Sequence, residues 1–256
     1  MTGEGWTQAV RRQLGLGRVL PLGGPEDGAW LAESAADGAL RQMADRVAGV
    51  RLGTVRIGAA DPAGRYVAAV PAPPSALPPG PLRITAEFAA AASAPLPPAA
   101  DRLRAALSAT AAEVGLVVAE VDLRVTALLE KDAADAAPGS VPPEDVRAEE
   151  AAGDSTTDAG AGTDADADGD ADGDEARVAR AVLAVPGVAR LTGVLGRAVH
   201  IEQHAAAGSL PRRHARVELA TDRGHRALDV ALAVRAAVGA ALPDHPSVAV
   251  LVTEVG

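Results

Sequence analysis

At 256 residues the chain has room for two small domains, each able to bury its own core. Hydrophobic residues make up 48% but aromatics only 2%, and there is no cysteine, so the cores must rest on Ala, Val and Leu while disulfides, thiolate metal sites, cysteine nucleophiles and base-stacking platforms are excluded. The net charge of −10 is unevenly placed, because residues 130–175 hold 16 acidic against two basic side chains, which leaves the rest near neutral at +4 and without the basic stripe that nucleic acid requires.

Residues 1–14 lack an apolar segment ahead of a cleavage site, and no run approaches the length of a membrane span, so a cytoplasmic protein is expected. Trp6, Val10 and Leu14 recur at helical spacing, and residues 1–16 read as a terminal helix or arm. A short strand follows over 18–22. Asp27 stands where it could cap a helix over 29–48, with Leu31, Ala35, Ala36, Leu40, Met43 and Val47 on its apolar side and Gly49 at a left-handed stop. Residues 50–57 read as a strand. Residues 61–81 hold seven prolines and read as a long, stiffened loop.

Residues 82–88 alternate apolar and polar and form the next expected strand. A helix over 97–114 presents Leu103, Leu107, Thr110 and Val114 on one face. It runs into residues 116–128, where Val117, Ala119, Val121, Leu123 and Val125 alternate with Glu120, Asp122, Arg124 and Thr126. From 133 to 174 the composition collapses to small, polar and acidic residues that cannot offset their ordering entropy, so disorder is expected. The order then repeats. A helix over 175–185, strands over 198–203 and 214–221, a helix from Thr221 or Asp222 to Leu242 and a final strand over 248–255 copy the first half, as an internal duplication would.

The expected fold is therefore α+β, with two α-β-β-α-β units, each a small mainly antiparallel sheet carrying two helices on one face. Its segments are an arm at 1–16, a first domain at 17–131, a disordered acidic linker at 132–174 and a diverged second copy at 175–256. Each unit should close on a strand whose valines lie beneath the preceding helix.

Gly49-Val50, the alternation over 82–88, the Pro-started helix over 95–114, and Gly115-Leu116 leading into Glu120-Val121-Asp122-Leu123-Arg124-Val125 resemble the alkaline shock protein family, also called the general or cell-envelope stress family of bacteria. The match is carried by residues 17–129. The Ala-, Gly- and Arg-rich composition resembles a high-GC subgroup with two diverged copies, chains of which also carry a nucleopolyhedrovirus P-ten label. That label implies coiled-coil fibres, and the sequence has no sustained heptads. The resemblance implies a non-catalytic stress-response protein that self-associates or docks on a small membrane partner, at the inner face of the membrane through indirect association. It implies no catalytic residue.

The sharpest chemical motif lies in the acidic segment. Asp164, Asp166, Asp168, Gly169 and Glu175 fill the first, third, fifth, sixth and twelfth positions of a calcium loop, with Asp170 among them. Alternating carboxylates could wrap a cation there. Against it, the eighth position is Ala171, the segment before it is a poor helix, and an Asp-Ala-Asp-Gly repeat generates such patterns by accident. His200 and His214 should face outward beside Glu202 and Glu218, as a solvated sheet face. No nucleophile-elbow, zincin or phosphate-loop pattern occurs. The expected function is a structural or interaction protein with protein partners or itself as partner, no nucleic acid, no enzymatic activity and no cofactor. The alternative is a calcium-responsive module built on the acidic loop.

Overall fold

The computed structural model of the chain describes residues 15–93, 95–130, 167–204 and 212–256. The arm over 1–14 and linker residues 132–166 lie outside the described residues. Val19–Leu22 (β1) and Ala29–Ala32 (β2) form an antiparallel hairpin. The helix expected from residue 29 begins only at Glu33, as Glu33–Ala44 (α1). Its first turn is replaced by β2 because the Ala29-Trp30-Leu31 backbone pairs in parallel with Val250-Leu251-Val252 near the far end of the chain. Asp27 accordingly caps a turn and not a helix, its Oδ2 accepting the Gly24 N–H at 2.7 Å.

Val50–Ala59 (β3) and Leu82–Ala91 (β4) pair antiparallel. Leu96–Val114 (α2) starts on prolines, whose missing N–H groups cost nothing in a first turn, and stops at Gly115 with φ +110. Val118–Leu129 (β5) then returns parallel to β4. The second half runs Ala167–Leu183 (α3), Val188–Leu191 (β6), Val199–His204 (β7), Arg212–Thr221 (β8), Ala227–Ala241 (α4) and Ser247–Val255 (β9). Residues 167–174, expected as disordered linker, are helical. The helix expected from Thr221 or Asp222 starts later, since Asp222 donates its N–H to Gly187 O and Gly224 turns the chain at φ +88.

The architecture is α+β with two sheets. One has the order β3-β4-β5. The other has the order β1-β2-β9-β8-β6, with β7 also paired to β8. The sheets are mixed: β1–β2, β3–β4, β6–β8 and β7–β8 are antiparallel as expected, whereas β4–β5, β8–β9 and β2–β9 run parallel. The path β7-β8-β9 repeats the order and strand senses of β3-β4-β5.

The two closing strands sit in unlike surroundings. β5 is an edge strand, and only Val118, Val121, Leu123 and Leu129 along it are half-buried. β9 lies between β2 and β8 and is buried from Val248 to Thr253. Its inner residues Val248, Val250 and Val252 face the helices. Ala249 and Leu251 point the other way, into a second cluster with Val19, Trp30 and Val70. That cluster is roofed by the proline-rich loop, through Ala68, Val70 and Ala76. The first half thus contributes both a hairpin and a cover to the sheet of the second.

One contiguous core contains the inner residues of both sheets and the buried faces of all four helices, among them Leu40, Phe88, Leu107, Val182 and Val234. α1 packs on β9 as well as on β3 and α2. The halves are also stitched by backbone groups. Val250 donates its N–H to Gly28 O at 3.0 Å, and Arg226 donates from Nε to Ala112 O at 3.2 Å. A Cβ on Gly115 would stand 2.5 Å from Leu228 Cβ. Gly115→Ala combines a left-handed backbone with this clash, and it is expected to cost roughly 2–5 kcal/mol of stability in denaturant unfolding. An unchanged midpoint would mean that the halves do not meet there.

Candidate interaction surface

A sheet edge presents unpaired N–H and C=O groups, and folded proteins generally cover or distort such edges. At β1 the proline-rich loop does so, since Val19 donates its N–H to Ser75 O and accepts from the Leu77 N–H. At β7 the Ile201 N–H is taken by Glu175 Oε1 at 3.1 Å. β3 is bulged between Leu52 and Val55, and Arg18 donates from Nη2 to the Ile57 carbonyl. Glu33 holds Arg18 there through the Arg18 backbone N–H and guanidinium, each at 3.0 Å. Burial works to raise the Glu33 carboxyl, but hydrogen bonding and charge from Arg18 outweigh it and hold it below the ordinary range.

β5 is different. Leu82 donates its N–H to Val117 O, so by period-two alternation Ile84, Ala86 and Phe88 also address β5. They lie opposite Val121, Leu123 and Val125. In a parallel ladder a residue bonds the two residues flanking its opposite number, so the N–H and C=O groups of Val121, Leu123 and Val125 face outward. Of these six groups, the Val121 carbonyl receives a long contact from Arg104 Nε, at 3.4 Å. Val125 and Leu128 leave 39% and 59% of their surface in water. The outer face of this sheet is charged and wet. Arg83 bonds Glu120 at 2.6 Å, whereas Asp122 and Arg124 have only distant partners, Arg83 at 3.6 Å and Glu87 at 3.8 Å.

The outer face of the other sheet is closed and partly polar. Trp30, Leu251 and Glu218 lie abreast on β2, β9 and β8. Glu218 is fully buried and accepts the Leu195 N–H at 3.0 Å, which anchors the turn over residues 193–196 above the sheet. Its Oε1 stands 3.6 Å from Arg216 Nε, and neither atom has a hydrogen-bond partner among the described residues. Burial pushes the Glu218 carboxyl up, against the opposing pull of the Leu195 amide and the Arg216 charge. His214, expected outward, is buried between β7 and β9, opposite Glu202 and Ser247, and bonds Ser247 Oγ at 2.8 Å. His200 is half-buried between Glu175 and Glu202, each at 3.7 Å.

The acidic loop residues are placed differently from a calcium site. Asp164 and Asp166 lie outside the described residues. Asp168 and Asp170 belong to α3, whose helical backbone does not provide the wrapped loop that a calcium ion needs. Glu175 is committed to Ile201 N–H and, through Oε2, to Arg197 at 3.1 Å. The neighbouring Asp174 pairs with Arg213 at 2.7 Å. Among the described residues no group of three or more His, Asp or Glu side chains is placed to hold a metal. A cleft of about 520 Å³ lies where the last turns of α1 and α2 meet the β8–α4 turn, lined in part by Met43, Arg46, Thr110 and His225. Its hydroxyl group, on Thr110, donates to Ala106 O within α2 and is not set against a base.

No family model matches the chain, and neither a curated protein nor a solved structure matches it.

Glu218 gives a pH signature. Between the ordinary value of 4.5 and its raised one, the folded state keeps a proton that the unfolded chain has released. Stability from this group therefore falls as pH rises across that window. Glu218→Gln is expected to flatten the slope in denaturant melts taken from pH 4.5 upward, and an unaltered slope would show that Glu218 titrates like an exposed carboxyl.

Proposed function

We propose that the chain is a non-catalytic interaction protein of the cell-envelope stress type, and that the free edge of β5 is its contact surface. The observation that carries this is the run of outward N–H and C=O groups at Val121, Leu123 and Val125, which among the described residues have no loop, carboxylate or bulge-and-arginine cover. Exposed Val125 and Leu128 beside it supply apolar area to a partner. We further propose that the two α-β-β-α-β units arose by duplication, a reading supported by the matching order and senses of β3-β4-β5 and β7-β8-β9. Only the first copy keeps a free edge, since the hairpin β1–β2 occupies that position beside β9.

The protein works on this reading in the cytoplasm, and any association with membrane is through a partner. No helix among the described residues is long and apolar enough to cross a membrane. The calcium-responsive alternative is disfavoured by the commitments of Glu175 and Asp174 to protein donors. Light scattering on the full chain over a range of concentrations, with and without millimolar calcium, separates the two. Concentration-dependent assembly that ignores calcium is the expected result. Compaction or assembly only with calcium would replace this reading by the alternative.

A further inference from the structure

Resting on that reading, we infer that the occupant of the β5 edge is a second copy of this chain, paired antiparallel about a two-fold axis through Leu123. Of the registers centred on residues 121 to 124, only this one sets no like charges directly opposite. With Leu123 opposite Leu123 of the second copy, Val121 faces Val125, Asp122 faces Arg124, Glu120 faces Thr126 and Val118 faces Leu128. Centring on 122 would set Asp122 against its own copy, and centring on 124 would do the same to Arg124. Centring on 121 would set Glu120 against Asp122. Like charges directly opposite destabilise a pair, while unlike charges support it.

The backbone agrees with the side chains. Val121, Leu123 and Val125 carry the outward N–H and C=O groups, and in this register each faces another of the three. Pairs 123–123, 121–125 and 125–121 each exchange two hydrogen bonds. The 122–124 pairs fall between them at the non-hydrogen-bonded positions, where side chains approach most closely. The bulges of β5, after Val118 and after Val125, leave the stretch between them regular. Asp122 and Arg124 are exposed and have only distant partners among the described residues, so each is open to a better one. Val121 and Leu123 already lie against the core, and their second-copy counterparts extend that apolar row. Arg104 must leave the Val121 carbonyl for the pair to close, and its side chain is exposed enough to do so. The product is a continuous six-stranded sheet, β3-β4-β5 joined to its own copy, with the isologous contact that two-fold symmetry requires.

The test is sedimentation equilibrium on the full chain and four variants. Leu123→Pro deletes an N–H that β4 does not use, and proline is tolerated on an edge, so a preserved thermal transition with loss of the dimer is expected. Asp122→Arg and Arg124→Asp each set two like-charge pairs across the axis and should weaken dimerisation roughly tenfold or more. The double variant D122R/R124D exchanges the charges and should restore the dimer. A wild-type chain that stays monomeric at every concentration overturns the inference of a second copy. A dimer that Leu123→Pro abolishes but D122R/R124D does not restore overturns this register while the β5 edge stands. A dimer that survives Leu123→Pro overturns the edge reading itself.

Discussion

β9 has a strand on each side, and both neighbours run parallel to it. One, β8, precedes it in the same half of the chain. The other, β2, comes from the first thirty-odd residues, before α1 has begun. Much else follows from this pairing. It draws the β1–β2 hairpin out of the first half and lays the proline-rich loop across Trp30, Ala249 and Leu251. It also brings α1, which leaves directly from β2, against β9 and so into contact with both sheets. A strand covered on both faces and paired on both sides gives its whole length to the core.

The two sheets are unequal for the same reason. Where β2 caps the row β7-β8-β9, the corresponding side of β5 has no strand beside it among the described residues. Burial divides accordingly. β8 and β9 exclude water over most of both faces and even take in Glu218, whose carboxyl is held toward its protonated form by burial, against the pull of the Leu195 amide and Arg216. The three-stranded sheet keeps one wet face, held by exposed pairs such as Arg83–Glu120 that add little stability individually. Those charges matter more for which surface β5 accepts than for how tightly the sheet holds together.

Several elements were legible residue by residue. Pro97 and Pro98 at the start of α2 and Gly115 at its end bracket a helix that forms where expected, and Leu82, Ile84, Ala86 and Phe88 point inward as their alternation requires. Asp27 misled, because Ala29 to Leu40 carries apolar residues at spacings that suit a helix while its first four residues also suit a buried strand. The acidic tract misled in another way. Asp174 read as the end of the disordered linker and Glu175 as the last position of a calcium loop, yet Arg213, Arg197 and the Ile201 amide lie within bonding distance and fix them to the folded body. The role of Glu218 was hidden for a similar reason, since the turn it anchors follows β6, a strand too short to announce itself.

The sequence by itself determined most of the local conformations, residues 29–32 apart, and even the contrast between the closing strands, since Val-Asp-Leu-Arg-Val has one polar face whereas Val-Ala-Val-Leu-Val-Thr has almost none. Both properties follow from side chains within a few residues of one another. Only the tertiary structure decided which strand would lie beside β9, which loop would roof Trp30, and which edge would be left open. Those outcomes depend on backbone hydrogen bonds between segments far apart in the chain, and such bonds are made by groups that every residue carries and no sequence pattern marks.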